Sequence, residues 1–119
     1  MQPITIWHNP NCSKSRASMA LLEEQNDLSI TTFNYLETPP SYEALTQVLR
    51  QLALSPRELM RTKEDLYQEL GLQTVTDDNA LIEAMCSHPK LIERPIIIKG
   101  ERAVIARPIE NLHALLAEA

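Results

Sequence analysis

The stretch from Ile4 to Leu36 restricts the fold more than any other part of the chain. Ile4-Thr5-Ile6-Trp7 is a β-branched and aromatic run that stops at His8-Asn9-Pro10-Asn11, a cluster of turn formers. From Ser13 onward Ala17, Ala20 and Leu21 recur at i, i+3 and i+4, which predicts an amphipathic helix ending near Asn26-Asp27 and puts Cys12 at its N-terminus. Ile30 to Leu36 is β-rich again. A strand, a helix and a strand with short joints form a parallel βαβ unit with a right-handed crossover.

Thr38-Pro39-Pro40-Ser41 breaks this pattern, and Ala44, Leu45, Val48, Leu49 and Leu52 then mark one face of a second helix that Ser41 can cap. Ser55-Pro56-Arg57-Glu58 is a capping box with proline at the first helical position; it opens a short helix carrying Leu59, Met60 and Arg61. Glu64 to Leu70 reads as one more short turn or helix, closed by Gly71, and Asp78 to Ser87 as a helix with Leu81, Ile82, Met85 and Cys86 on one side, ended by His88-Pro89. Pro95-Ile96-Ile97-Ile98, the turn Lys99-Gly100-Glu101 and Ala103-Val104-Ile105-Ala106 predict an antiparallel hairpin. After Arg107-Pro108, Ile109, Leu112 and Leu116 mark a terminal helix. The order βαβ…ββα describes an α/β protein of thioredoxin-like fold, a mixed sheet with a helical region inserted over roughly residues 39–89. A chain of 119 residues fits one domain, residues 1–119.

Charge and cysteine usage narrow the function classes. Eleven Lys and Arg against sixteen Asp and Glu leave a net charge of −5, which repels a polyanion, so no nucleic-acid partner is expected. No apolar run approaches the ~18 residues of a membrane span, and Met1-Gln2-Pro3-Ile4 lacks a basic segment followed by an apolar one, so the expected location is cytoplasmic with no membrane contact. Cys12 and Cys86 lie far apart in sequence and outside any Cys-x-x-Cys or Cys/His cluster, which predicts free thiols, no metal and no bound cofactor.

Cys12 is the leading candidate for chemistry. Backbone N–H groups and the positive end of a helix favour a thiolate there, and such cysteines have pKa values of about 3.5–7.5 against about 8.5 for a free thiol. The competing reading is a small buried apolar residue. His8 can hydrogen-bond the sulfur or the loop backbone, or simply order the loop; Ser15 can hydrogen-bond the thiolate, or serve as a first-turn polar residue of the helix. A phosphatase loop needs Cys-x5-Arg, whereas Arg16 follows Cys12 after only three residues. A dithiol cycle needs a resolving cysteine where Ser15 stands, so any redox cycle here borrows an outside thiol.

The segment Ile4-Thr5-Ile6-Trp7-His8-Asn9-Pro10-Asn11-Cys12-Ser13-Lys14-Ser15-Arg16 resembles the active-site segment of the glutaredoxin-dependent arsenate reductase family, the ArsC family. Tyr35-Leu36-Glu37-Thr38-Pro39-Pro40-Ser41, Glu58-Leu59-Met60-Arg61, Lys63-Glu64-Asp65-Leu66-Tyr67, His88-Pro89-Lys90-Leu91-Ile92-Glu93-Arg94-Pro95 and Ala106-Arg107-Pro108 are similar to its later motifs, in its order. The likeness spans nearly the whole chain, and Lys63 to Leu70 looks most like the shorter YfgD-type branch.

The resemblance implies that Cys12 attacks arsenate or a similar oxyanion and that Arg61, Arg94 and Arg107 bind it, with His8 and Ser15 tuning the nucleophile. It further implies glutathione as co-substrate, glutaredoxin as electron donor and arsenite as product. Guanidinium forks suit this task because they neutralise an anion that would otherwise repel the thiolate. Arg94-Pro95 is similar to the family's counterpart of the cis-proline beside thioredoxin-type cysteines. Two other functions fit the same fold: a monothiol glutathione-linked thiol-disulfide oxidoreductase, and a non-enzymatic Spx-like regulator that binds RNA polymerase. The latter relatives commonly carry a Cys-x-x-Cys switch that Ser15 removes.

Overall fold

A computed structural model describes residues 1–118. The elements are β1 (Gln2–Trp7), α1 (Ser13–Glu23), β2 (Leu28–Phe33), α2 (Tyr42–Leu52), α3 (Pro56–Leu59), α4 (Asp65–Glu69), α5 (Asp78–Ser87), β3 (Ile96–Lys99), β4 (Arg102–Ile105) and α6 (Glu110–Ala117). Short 3₁₀ turns occupy Leu72–Thr74 and Pro89–Leu91. They fall into two compact units, one formed by Met1–Thr38 with the segment from Arg94 onward, the other by Pro39–Glu93. Among the described residues no helix is long and apolar enough to cross a membrane.

The first unit is the thioredoxin-like α/β half. Its four strands lie in the order β2-β1-β3-β4, with β1 parallel to β2 and antiparallel to β3, and β3 antiparallel to β4. The β3–β4 register pairs Lys99 with Arg102, so only Gly100 and Glu101 turn the hairpin. A turn this tight needs a positive φ at its first position, which Gly100 supplies at 61°. Ile4 and Ile6 of β1, Leu28 and Ile97 form an apolar surface onto which α1 packs Leu22 and α6 packs Leu112 and Leu115. Lys99 Nζ donates to the carbonyls of Leu115, at 3.1 Å, and of Glu118, closing the C-terminal end of α6.

One helix face differs in part from the sequence reading. In α1 the buried residues are Ser15, Ser18 and Leu22 and Leu21 packs partly buried on the same core, while Ala17 and Ala20 are exposed. Alanine costs nothing on a helix surface, so apolar periodicity placed Leu21 correctly and the two alanines on the wrong side. In α6 the expected residues Ile109, Leu112 and Leu116 all pack on the core, and Leu115 joins them. Helix α1 also stops at Glu23, before Asn26-Asp27, because the Asp27 carbonyl accepts from Gln2 N–H at 2.8 Å and Leu28 begins the pairing with β1.

The second unit is helical. Ser41 Oγ accepts from Ala44 N–H at 3.1 Å to cap α2, and Ser55 with Glu58 forms the expected capping box on α3. Helix α5 packs on α2 and α3, burying Leu81, Ile82 and Met85 near Leu45, Val48, Leu49 and Leu59. Arg57 staples the far loop by donating to the Leu72 carbonyl at 3.2 Å, the Val75 carbonyl and the Tyr67 hydroxyl. The unit extends to Glu93 because Met60 and Ile92 form an antiparallel bridge, flanked by Arg61 N–H to the Leu91 carbonyl at 2.7 Å and Glu93 N–H to the Leu59 carbonyl at 2.9 Å.

The exposure of the α1 alanines is open to test by urea unfolding. Leu22→Ala should lower stability by about 2–5 kcal/mol, as for a fully buried leucine. Ala17→Gln should stay within about 0.5 kcal/mol of the parent, as for a solvent-facing site.

Candidate active site

Strand register gathers the candidate residues of the α/β unit at one end of its sheet. Trp7 pairs with Ile96 and Ile96 with Ile105, so His8, Arg94 and Arg107 all emerge beyond the same edge. Ala106 N–H donates to the Pro95 carbonyl at 3.0 Å and extends the hairpin to that edge. Both Arg94-Pro95 and Arg107-Pro108 are cis peptides. On the other side of β1 from Ile6, Trp7 meets Phe33 edge-on at 5.1 Å and stacks on Tyr35 at 6.2 Å, giving the His8 loop a rigid aromatic footing.

The loop from His8 to Cys12 is held by its own short-range bonds. His8 N–H donates to the Phe33 carbonyl at 2.9 Å, Cys12 N–H to the Asn9 carbonyl at 3.0 Å, and Asn11 N–H to Asn9 Oδ1 at 3.0 Å. From the first turn of α1, Arg16 reaches back and donates to the Pro10 carbonyl at 2.9 Å. Cys12 is the N-cap residue of α1, in extended conformation, and is buried with 8% of its surface accessible.

That position sets the thiol's acidity. Burial pushes the Cys12 pKa up, but the N–H groups of Ser15 and Lys14, together with the hydrogen-bonding and charged guanidinium of Arg94, outweigh it and leave the thiol more acidic than usual. The two N–H groups do not meet the geometry of a formed side-chain cap. Their effect is electrostatic stabilisation of the anion, which a long contact to a large sulfur still provides.

Ser15 and His8 divide their work differently from the simplest expectation. Ser15 reaches the sulfur through its backbone N–H. Its buried hydroxyl accepts from Asn9 N–H at 2.9 Å and shares a 2.6 Å hydrogen bond with His8 Nδ1, whose direction is set by the imidazole tautomer. His8 is held below its ordinary pKa by burial and by the nearby charge of Arg16, against a smaller opposing effect of Glu23. The imidazole is therefore neutral near pH 7, a loop brace rather than a second cation.

The structure thus brings Cys12, His8, Ser15 and Arg94 together and places Arg107 at the same sheet edge. Arg61 lies in the helical unit, where its guanidinium pairs with Glu64 at 3.1 Å and Glu93 at 4.0 Å. Cys86 is half-buried on α5, and burial together with the charge of Glu83 pushes its thiol up. His88 caps the end of α5, and His113 is exposed on α6. Sequence reading missed the supporting groups: Asn9, whose Asx turn is a pattern legible in Asn9-Pro10-Asn11, and the Lys14 N–H, which no side-chain pattern announces. A thiolate beside a guanidinium is equipped for nucleophilic attack on an electrophile that carries negative charge.

The profile of the ArsC family matches residues 7–115. An arsenate reductase of Neisseria meningitidis is 47% identical over 118 residues, 98% of this chain and 100% of the relative. The YfgD protein of Escherichia coli K12 is 47% identical over 111 residues, 92% of each chain. The solved structure of an arsenate reductase from Vibrio cholerae superposes with a TM-score of 0.90 at 46% identity, covering 95% of this chain and 97% of that one.

Alkylation by iodoacetamide, followed against pH, reads the acidity of each thiol. The Cys12 rate should rise with a midpoint below about 8.5, the value for a free thiol, and the Cys86 midpoint should lie above it. Ionisation of Cys12 releases a proton to solvent and leaves a thiolate that the site favours, so Arg94→Ala, which removes part of that preference, should move the Cys12 midpoint to higher pH and leave Cys86 unmoved.

Proposed function

The chain belongs to the ArsC family, and we propose that it reduces arsenate to arsenite through a covalent adduct on Cys12. The observation that carries this reading is the acidic thiol at the N-cap of α1 with the Arg94 guanidinium beside it. Arsenate brings a tetrahedral arsenic that accepts the thiolate and oxygens that accept the guanidinium's forked donors. One group ionises the nucleophile and neutralises its target.

In the first step the Cys12 thiolate forms an S–As bond while an As–O bond breaks, the departing oxygen taking up protons and leaving as water. The glutathione thiolate then bonds to arsenic and displaces a second oxygen, which leaves as water. A glutaredoxin thiolate attacks the glutathione sulfur; the mixed glutathione–glutaredoxin disulfide forms, the bond from arsenic to that sulfur breaks with its electron pair left on arsenic, and As(V) becomes As(III). Water then displaces the Cys12 thiolate and arsenite departs. An outside donor suits this chain because Ser15 stands where a resolving cysteine would be, and because the Cys86 thiol is shifted away from ionisation.

Arg94 and Arg107 serve as oxyanion ligands from the α/β unit, and Arg61 joins them on the strength of the family motif Glu58-Leu59-Met60-Arg61. His8 and Ser15 hold the loop that presents the sulfur. The enzyme works in the cytoplasm, where reduced glutathione keeps both thiols free.

Mass spectrometry after incubation with arsenate should find an adduct on the parent protein and none on Cys12→Ser. In a coupled assay of NADPH consumption with glutathione and glutaredoxin, Arg94→Gln should cut arsenate turnover by about 100-fold or more. Thiol exchange of the same variant with oxidised glutathione, measured at a pH where Cys12 is ionised in both proteins, should stay within about tenfold. Equal survival of both activities would mean that the oxyanion ligands are misassigned and that the protein is a monothiol oxidoreductase.

A further inference from the structure

Arg61 does not hang free in the helical unit. Its Nη1 pairs with Glu64 Oε2 at 3.1 Å and donates to the Lys90 carbonyl at 3.3 Å, while its Nε faces Glu93 Oε1 at 4.0 Å. The other oxygen of Glu64 is taken by Lys90 Nζ at 3.4 Å, so this carboxylate is itself oriented. The guanidinium is thereby gripped along its Nη1 and Nε sides, and Nη2 is the position with no protein partner among the described residues.

The backbone beneath this cluster is fixed as well. Arg61 N–H to the Leu91 carbonyl, the Met60–Ile92 bridge and Glu93 N–H to the Leu59 carbonyl lock residues 59–61 to 91–93, and Glu64 N–H returns to the Arg61 carbonyl at 3.1 Å. Arg61, Glu64, Lys90 and Glu93 therefore project from one short, hydrogen-bonded frame. Two cations and two carboxylates give the group no net formal charge. The Arg61, Glu64 and Glu93 side chains retain only 27%, 21% and 29% of their exposure, which separates them from a freely solvated surface pair.

We infer that Glu64 and Glu93 are positioning residues that hold the Arg61 guanidinium through Nη1 and Nε and leave Nη2 to donate to the substrate oxyanion. This rests on the reading that Arg61 is an oxyanion ligand. A mobile arginine loses rotamer freedom when it grips an anion; one already held by two carboxylates has lost it beforehand, and substrate binding is correspondingly tighter. In this role the carboxylates act through Arg61, so their effect falls on substrate affinity and leaves the acidity of Cys12 alone.

Steady-state kinetics on five proteins, the parent, Glu64→Ala, Glu64→Gln, Arg61→Ala and the double variant of Arg61→Ala with Glu64→Ala, test this together with the Cys12 alkylation profile. Glu64→Ala should raise KM for arsenate by about three- to tenfold, with kcat within about twofold and the alkylation midpoint unmoved. Glu64→Gln, which keeps an acceptor oxygen for Nη1, should recover most of the loss. In an Arg61→Ala background Glu64→Ala should have no further effect. A KM that is unchanged or lowered by Glu64→Ala while Arg61→Ala raises it overturns the positioning role, a lowered value meaning that the carboxylate competes with substrate. A fall in kcat accompanied by a shifted alkylation midpoint overturns it too, by exposing a general structural defect. An unchanged KM in Arg61→Ala refutes instead the assignment of Arg61 to the oxyanion.

Discussion

Everything in the site depends on where a single sulfur sits relative to the first turn of α1. An N-cap residue normally offers an oxygen to the free N–H groups at N2 and N3, and replacing such a cap costs about 1 kcal/mol. Cys12 occupies that position, and N2 and N3 are Lys14 and Ser15, the residues whose N–H groups favour its anion. Cys12 forms no side-chain cap, and the two N–H groups act on its sulfur by favouring the anion. Local helix stability and nucleophile activation therefore draw on the same two donors.

That arrangement would be loose without the braces around it. The His8 to Cys12 loop contains no regular structure, yet its N–H groups find partners in Phe33, Asn9 and the Asn9 side chain, and the Pro10 carbonyl is met by Arg16. Ser15 shows the economy of the design. Its backbone faces the sulfur while its hydroxyl ties the helix to both His8 and Asn9, so one buried residue fixes the angle between loop and helix. A threonine or alanine would preserve helix length and lose one of these functions, by crowding or by leaving Asn9 N–H unanswered.

Much of this was legible in the sequence wherever a local signal acted alone. The Ile4–Trp7 strand, the Ser55 capping box, the Gly100 turn and the break at Arg107-Pro108 each rest on a few adjacent residues and are all present. Strand β1 nevertheless starts earlier, at Gln2, and α3 ends at Leu59, leaving Met60 and Arg61 outside the helix expected to carry them because Met60 turns extended to bridge Ile92. The face of α1 was legible only in part, because Ala17 and Ala20 tolerate solvent while Ser15 and Ser18 are drawn inward. Its end was hidden as well: Glu24 to Asn26 are compatible with a helix, and only pairing of β1 with β2 stops it. In the site, Cys12 announced itself by position. The ion pairs of Arg61 with Glu93 join residues far apart in sequence, and no periodicity encodes them.

The sharing of Arg94 explains why one arginine cannot suffice. In the ligand-free protein its charge stabilises the Cys12 thiolate. In the proposed reaction an arriving oxyanion claims the same guanidinium, and at 4 Å two unit charges repel by about 4 kcal/mol even in a medium of effective dielectric near 20. If Arg94 alone served both anions, binding substrate would weaken the nucleophile at the moment it is needed. Arg107, delivered to the same sheet edge by the β3–β4 hairpin, adds a second positive charge there. Under the proposed assignment the anion's charge is divided between the two, and Arg94 keeps more of its field on the sulfur. Lysine could supply the charge, but a compact ammonium has no planar fork with which to face a thiolate and an oxygen from adjacent donors at once.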